Sequence, residues 1–325
     1  MVDSQQNKGY RVISMFDRLM DGQGINKRQE AFTHNVGEKT IQRDLDQIRT
    51  YIEKTKLGCH LEYVRAEKVY KLTNTGKNIL SKEQVLAIVK ILIESRALLK
   101  SEMSDIIDKL ISIVTADKQE FIHNIILNEE HLYVDLNHQK SLLHLIWVLS
   151  EAIQKKKIIK IDYLHEGETI PVEKVLKPLA VIFSEYYFYL IAYDSKHEQD
   201  LPIVYRVDRI QHFLELDKKF QIPYAERFQE GEFRKRIQFM YAGELMHVKF
   251  IFKGISPQAV LDRLPTAKIV SNKKGHYLFE AEVFGCGIRM WLLSQGEKIE
   301  VLEPIELREE MIKTIQSMQQ NYRYI

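Results

Sequence analysis

The sequence predicts a multidomain α+β protein: a winged helix-turn-helix, a helical connector, a small β-barrel and a C-terminal α+β module. Three observations predict it. A short helix and then a longer amphipathic one, with polar donors at its front, stand near the N-terminus. Apolar residues keep a helical spacing from Ser81 to Ile153. At Ile158 the period changes to two and stays so through about five short strands. A chain of 325 residues is also too long for one typical domain.

Each element has its reason. Val12, Ile13, Phe16 and Leu19 fall at helical spacing within Tyr10 to Met20, and Asp21-Gly22-Gln23-Gly24 stops that helix. Asn26 caps a second helix, with Gln29 at the capping-box position and Phe32 and Val36 closing it off apolar. In Val36 to Ile48, Ile41, Leu45 and Ile48 share one side of a 3.6-residue period. Lys39, Thr40, Gln42 and Arg43 point elsewhere and can donate to phosphates or base edges. This helix runs on to about Lys54, and Gly58 breaks it. Cys59 to Tyr63 and Val69 to Leu72 then alternate around Ala66-Glu67, the pattern of a hairpin wing. Lys27, Arg28, Lys39, Arg43, Arg49, Lys54 and Lys56 concentrate positive charge there. Two short helices, a tight turn and donors at the front of the second suit the DNA major groove. The candidate DNA contacts are Lys27, Arg28, Glu38, Lys39, Thr40, Gln42, Arg43 and Arg49. The bland alternative is a solvated amphipathic helix.

Ser81-Lys82-Glu83-Gln84 is a capping-box pattern ahead of the apolar run Val85 to Leu99. Helical spacing returns at Ile106 to Val114, Phe121 to Leu127 and Leu142 to Ile153. Strands follow at Ile158 to Tyr163, Leu176 to Phe183, Tyr186 to Tyr193, Ile203 to Ile210 and Phe213 to Leu216, with a turn at His165 to Glu168. Their number and shortness suggest a small barrel or half-barrel. The tail reads as strand (Val248 to Phe252), helix (Pro257 to Leu264) and a hairpin (Ala267 to Val270, Tyr277 to Val283) over Asn272 to Gly275. Helix (Ile288 to Leu293), strand (Ile299 to Leu302) and helix (Leu307 to Met318) complete it. The expected domains are 1–76 (winged helix-turn-helix), 77–156 (connector), 157–222 (barrel, effector domain) and 223–325 (α+β extension, dimerisation).

Composition narrows the function classes. With 45% apolar and 28% charged residues the chain is globular rather than disordered. Its net charge of +2 makes any nucleic-acid site local. Two cysteines, Cys59 and Cys286, form no disulfide framework and no CxxC. No apolar stretch reads as a signal peptide or membrane span, so a cytoplasmic protein is expected. His131, His138 and His144 fit no metal-ligand spacing. Gly285-Cys286-Gly287 reads as a turn, and Glu129-Glu130 and Glu309-Glu310 as solvated helix faces. No GxSxG, HExxH or phosphate-cradling loop occurs. The expectation is a non-enzyme with no catalytic residues, no metal and no cofactor.

With the barrel placed, nearly the whole chain resembles the WYL-domain transcriptional regulators. The resemblance rests on Phe188-Tyr189-Leu190, standing where that family has Trp-Tyr-Leu, and on Lys177-Pro178-Leu179 and Ile191-Ala192-Tyr193-Asp194 around it. Tyr205-Arg206-Val207-Asp208-Arg209-Ile210, Gly296 to Arg308, and the reader-helix run Lys39 to Leu45 add to it. Gly37 and Lys39 depart from the family's usual Ser and Arg; Gly still caps a helix, whereas Lys lacks the planar fork that suits guanine. The resemblance implies an Sm/SH3-like barrel that senses nucleic-acid-type or other anionic ligands.

Alternation puts Tyr187, Tyr189, Ile191 and Tyr193 on one face of the strand and Tyr186, Phe188, Leu190 and Ala192 on the other. Phenol rings that stack and arginines that clamp anions suit a flat, anionic ligand such as a nucleotide or oligonucleotide. Candidate effector residues are Tyr187, Phe188, Tyr189, Leu190, Tyr205, Arg206 and Arg209. The alternative is that these aromatics are core and Asp208 simply pairs with a neighbouring arginine. The sequence thus reads as a homodimeric regulator that binds a palindromic DNA duplex and responds to an anionic effector. A second reading is a nucleic-acid-binding accessory protein acting through single-strand binding by the barrel.

Overall fold

The first apolar period produces three helices around one core. The computed structural model describes residues 8–20, 22–55, 59–74, 80–195, 201–221 and 228–323. Asp21, Lys56, Gly58 and the domain junctions expected at 76/77 and 222/223 lie outside them. Helices α1 (Lys8–Met20), α2 (Lys27–Thr33) and α3 (Glu38–Thr55) precede a hairpin of β1 (Cys59–Val64) and β2 (Val69–Asn74). Met15, Leu19, Ile25, Ile41, Leu45, Ile48 and Ile52 fill the space between them. Asn26 caps α2 as expected, its side chain accepting from the backbone N–H of Arg28 and Gln29.

Phe32 and Ile13 differ from expectation. Phe32 is 89% exposed, because α2 turns Glu30 and Ala31 inward instead. Glu30 is held there by a two-pronged bond from Arg18 at 2.8 and 2.6 Å. Ile13 likewise faces solvent, while its neighbour Arg11 is buried on Asp44 at 2.7 Å.

Downstream, α4 (Lys82–Ser95), α5 (Lys100–Ile111) and α6 (Ala116–His131) are helical. The box at Ser81 forms in both directions, with Ser81 N donating to Gln84 Oε1 and Gln84 N to Ser81 Oγ. The chain divides into two compact units, 1–90 with 106–127, and 91–105 with 128–325.

In the second unit α7 (Leu143–Lys155) leads into β3 (Lys157–Tyr163), β4 (Val172–Ser184), β5 (Tyr187–Asp194), β6 (Ile203–Arg206) and β7 (Ile210–Lys219). Helix α7 was expected to belong to the connector. Its Leu149 and Ala152 instead pack on Ile159, Ile161 and Leu176 of this sheet, as its apolar face requires. The strand expected over Ile203 to Ile210 is broken by a 3-10 turn at Val207–Arg209. That break shapes the sheet. The antiparallel order is β6-β5-β4-β3-β7, so β6 and β7 are consecutive in the chain yet lie at opposite edges. Four flat inter-strand steps would span about 19 Å, whereas a three-residue 3-10 turn advances only about 6 Å. The sheet must therefore curl. Tyr163 spans the curl, its hydroxyl accepting from Arg206 N at 3.1 Å. Among the described residues the hydrogen-bonded ladder stays open between β6 and β7.

A short helix, α8 (Glu230–Arg236), then leads into β8 (Leu245–Phe252), α9 (Pro257–Arg263), β9 (Lys268–Lys273), β10 (His276–Phe284), α10 (Gly287–Ser294), β11 (Ile299–Glu303) and α11 (Ile305–Asn321). The order β11-β8-β10-β9 is that of a split βαβ module. Its core is aromatic, with Phe250 stacked on Phe279 and Trp291 edge-on to Phe250. Phe233, Ile237 and Met240, from α8 and the segment after it, bury Ala180, Ile182 and Ile191 of the curled sheet. That segment closes on Gly285, whose φ of +64° and approach to the Tyr241 carbonyl leave no room for a side chain.

Candidate nucleic-acid interface and ligand site

Helix α3 begins without a side-chain cap, and the Gly37 carbonyl takes the Thr40 and Ile41 N–H groups. Because Ile41, Asp44, Leu45 and Ile48 occupy the buried face, Lys39 and Arg43 are left exposed, with Thr40 half-buried between them. Among the described residues Lys39 and Arg43 have no hydrogen-bond or ion-pair partner, so both are available to an anion. Arg28 meets Glu38 at 3.3 Å on the surface, a pair open to exchange.

Other candidates are already engaged within this unit, Arg49 by a surface pair that is open to exchange as that of Arg28 is. Gln42 Oε1 accepts from Lys27 Nζ at 3.0 Å and from the Tyr70 hydroxyl at 3.1 Å, while its Nε2 donates to Asp46 at 3.1 Å. Gln42 and Lys27 thus brace α2, α3 and the hairpin instead of presenting donors. Arg49 pairs with Asp46 at 2.7 Å. Asn26 Nδ2 also bonds the Lys68 carbonyl, tying the helices to the hairpin turn. That turn exposes Arg65 and Lys68, two cations the sequence reading passed over in naming only Ala66 and Glu67. The alternation that located the turn also marked its ends.

On the curled sheet, register sorts the second group. Tyr189 pairs with Arg206 across β5 and β6, and Leu190 with Tyr205. Paired residues share a face. Leu190 (0% exposed) and Tyr205 (3%) lie in the core under α7, and Phe188 packs against the same core. Leu190 and Tyr205 are therefore corrected from effector contacts to packing residues. Burial pushes the Tyr205 hydroxyl up to about 12.

The other face carries the polar chemistry. The Arg206 guanidinium lies 3.5 Å from the centroid of the Tyr187 ring, a stacked cation–π contact. Its Nε and Nη2 both donate to Asp208, at 3.0 and 2.8 Å. Burial opposes the charge on Arg206, but the Asp208 carboxylate outweighs it and the guanidinium pKa is raised. Tyr189 sits edge-on to Tyr187, and burial pushes its hydroxyl up to about 12, so it remains a donor at neutral pH. Arg209 turns to Glu166 in the β3–β4 turn at 2.7 Å and holds that carboxyl below its usual range. The two arginines thus have separate partners, and Arg206 alone stacks on the tyrosines. His138 also approaches, its ring 6.5 Å from that of Tyr187. Nothing in the spacing of the sequence signals that neighbour. Among the described residues no three His, Cys, Asp or Glu side chains converge as a metal site would need.

A family model for the WYL domain matches residues 144–213, and one for the WCX domain matches residues 244–319. The chain therefore carries a WYL domain followed by a WCX domain. The WYL match takes in α7 with the curled sheet, and the WCX match covers the split βαβ module with most of α11. Among solved structures the chain is similar to proteasome accessory factor B/C (PafBC) of Arthrobacter aurescens, at 15% identity and a TM-score of 0.33, over 98% of this chain and 49% of that one. It thus spans about half the length of PafBC. A CRISPR Cas-related protein matches at 14% identity and a TM-score of 0.40, over 76% of this chain and 75% of that one. No curated protein matches the chain. No described helix is long and apolar enough to cross a membrane.

Proposed function

We propose that this WYL-domain protein is a DNA-binding transcriptional regulator whose WYL sheet senses an anionic, ring-bearing ligand of nucleotide or oligonucleotide type. The observation that carries the sensing role is Arg206, stacked on Tyr187 and facing Tyr189, with its charge held by Asp208. A guanidinium over an aromatic ring offers a plane for a base and, at the edge that Asp208 does not engage, a cationic donor for a phosphate oxygen. The reading role is supported by Lys39 and Arg43, free at the front of α3, and by a hairpin turn bearing Arg65 and Lys68. In this reading the first domain is a winged helix-turn-helix, α3 enters the major groove and the turn cations touch the backbone. The protein acts as a homodimer on a palindromic operator, and the effector favours one arrangement of the two readers over the other.

The experiment compares Arg206→Ala with the parent for thermal stability and for duplex binding with and without short single-stranded oligonucleotides. The expected outcome is a stable variant that binds duplex normally and no longer responds to oligonucleotide. A variant that responds like the parent removes Arg206 from the site. Uniform loss of stability and of duplex binding would assign the Arg206–Asp208 pair to packing.

The second reading, an accessory protein acting through single-strand binding, is favoured by the same tyrosine–arginine face. It predicts sequence-tolerant single-strand binding together with weak, unspecific duplex binding.

A further inference from the structure

The segment of residues 132–141, between α6 and α7, is fastened to the WYL sheet beside the Tyr187–Arg206 cluster. Arg96 Nε donates to the Val134 carbonyl at 3.1 Å, and its guanidinium lies 5.9 Å from the Tyr186 ring. Lys140 Nζ donates to the Asp208 carbonyl at 2.7 Å and to Gln211 Oε1 at 3.3 Å. Between these anchors stands His138, beside Tyr187. Its Nδ1 accepts the Lys140 backbone N–H at 3.0 Å, so the proton of the neutral ring resides on Nε2. Burial lowers the pKa of this imidazole against the pull of Asp208, and Arg206 and Lys140 lower it further. Among the described residues Nε2 is shut off from solvent and has no hydrogen-bond partner. A buried donor without an acceptor costs free energy, and such groups in native proteins call for a reason.

We propose that His138 is a further ligand-binding residue, whose Nε2–H, once a side-chain shift uncovers it, donates to an oxygen of the anionic ligand seated on Tyr187 and Arg206, and that Lys140 is the positioning residue for the segment carrying it. This rests on the sensing role proposed above for the sheet. It also deepens that role. A ligand bonded to Arg206 on one side and His138 on the other ties β5 and β6 to the segment leading back to α5 and α6. Occupancy then favours the fastened arrangement, which is the differential contact that coupling requires.

The test uses the full chain and a fluorescein-labelled five-nucleotide single-stranded DNA, with anisotropy as the readout and inorganic phosphate as competitor. Thermal melts accompany every variant. His138→Ala is expected to weaken probe binding about tenfold, the worth of one hydrogen bond to a charged group, without lowering the melting temperature. His138→Gln retains an N–H donor and is expected to stay nearer the parent. Lys140→Met is expected to weaken the probe while leaving duplex binding intact. On adding the probe, the His138 Nε2 nitrogen resonance should shift in the unmodified protein, a readout that needs no variant to fold.

If the probe binds, depends on Arg206 and binds His138→Ala as tightly as the parent with no resonance shift, His138 is overturned and the sensing role stands. If the parent does not bind the probe, both fall. Displacement of the probe by millimolar phosphate would overturn the ring-bearing ligand class.

Discussion

Arg206 and Tyr189 face each other across β5 and β6, and this register separates the polar face of the WYL sheet from the face packed under α7. The next pair, Leu190 with Tyr205, is core for the same reason. The alternative raised from sequence, that Asp208 pairs with a neighbouring arginine, holds in the geometry, and the pair presents a guanidinium on an aromatic ring. On α3 the corresponding division is between Arg43, free in solvent, and Gln42, tied to Lys27 and Tyr70. Arg43→Ala and Lys39→Ala should each weaken binding to operator duplex by about 1–3 kcal/mol while leaving the melting temperature unchanged. Anisotropy at fixed salt measures this, and unchanged affinity in both would take α3 out of the groove. Asp44 is the opposite case. Its side chain is buried on Arg11, with Oδ1 unsatisfied among the described residues. Asp44→Ala strands a buried guanidinium and should cost about 3–5 kcal/mol, read as a lowered midpoint in urea denaturation. A change under 1 kcal/mol would mean that Arg11 finds water.

Among elements, the amphipathic helices were the most legible, since a burial stripe at a 3.6-residue period leaves little freedom: α3 runs Glu38–Thr55 against an expected end near Lys54. The split βαβ module also follows its expected order of elements. The 3-10 turn at Val207–Arg209 was not legible as such: the alternation of Tyr205 and Val207 slips at Asp208-Arg209, which marks a break but not that the chain changes sheet edge there. Nor was the segment after α8, whose packing on Ala180, Ile182 and Ile191 is long-range. Phe239 and Met240 there both take positive φ, and Gly285 lies against the Tyr241 carbonyl. Gly285→Ala should therefore destabilise the WCX module by roughly 1–3 kcal/mol of backbone strain, plus the cost of opening that contact. A calorimetric scan that left its melting unchanged would show that the segment yields without cost.

For the whole molecule, a single winged domain reads a short site, and specific regulators gain length through two-fold symmetry. The apolar side chains that α11 leaves exposed, Ile312, Ile315 and Met318, offer surface beyond the reader for such an assembly. We predict a dimer formed by residues beyond 80, with half-sites about 34 Å apart or a multiple of that. Light scattering of the full chain at micromolar concentration checks it, and a monomer there would count against a two-fold operator. Duplex affinity should also fall steeply with salt, because a protein of net charge +2 attracts phosphate only through its local cations.

The sequence by itself determined the elements and their order, because helix and strand periods are local and each writes its own pattern of burial. It also pointed to the two regions proposed to carry function, since exposed donors ahead of a buried stripe and a run of tyrosines near arginines are visible without a fold. Only the tertiary structure decided which of those residues are free. Gln42 and Lys27 are used up by Tyr70 from the hairpin, Leu190 and Tyr205 by α7, and Arg209 by Glu166. His138 joins Tyr187 across about fifty residues of chain, a contact that no periodicity encodes. Such partners come from distant segments that meet only when the sheet curls and the helices close over it, so they are a property of packing and not of pattern.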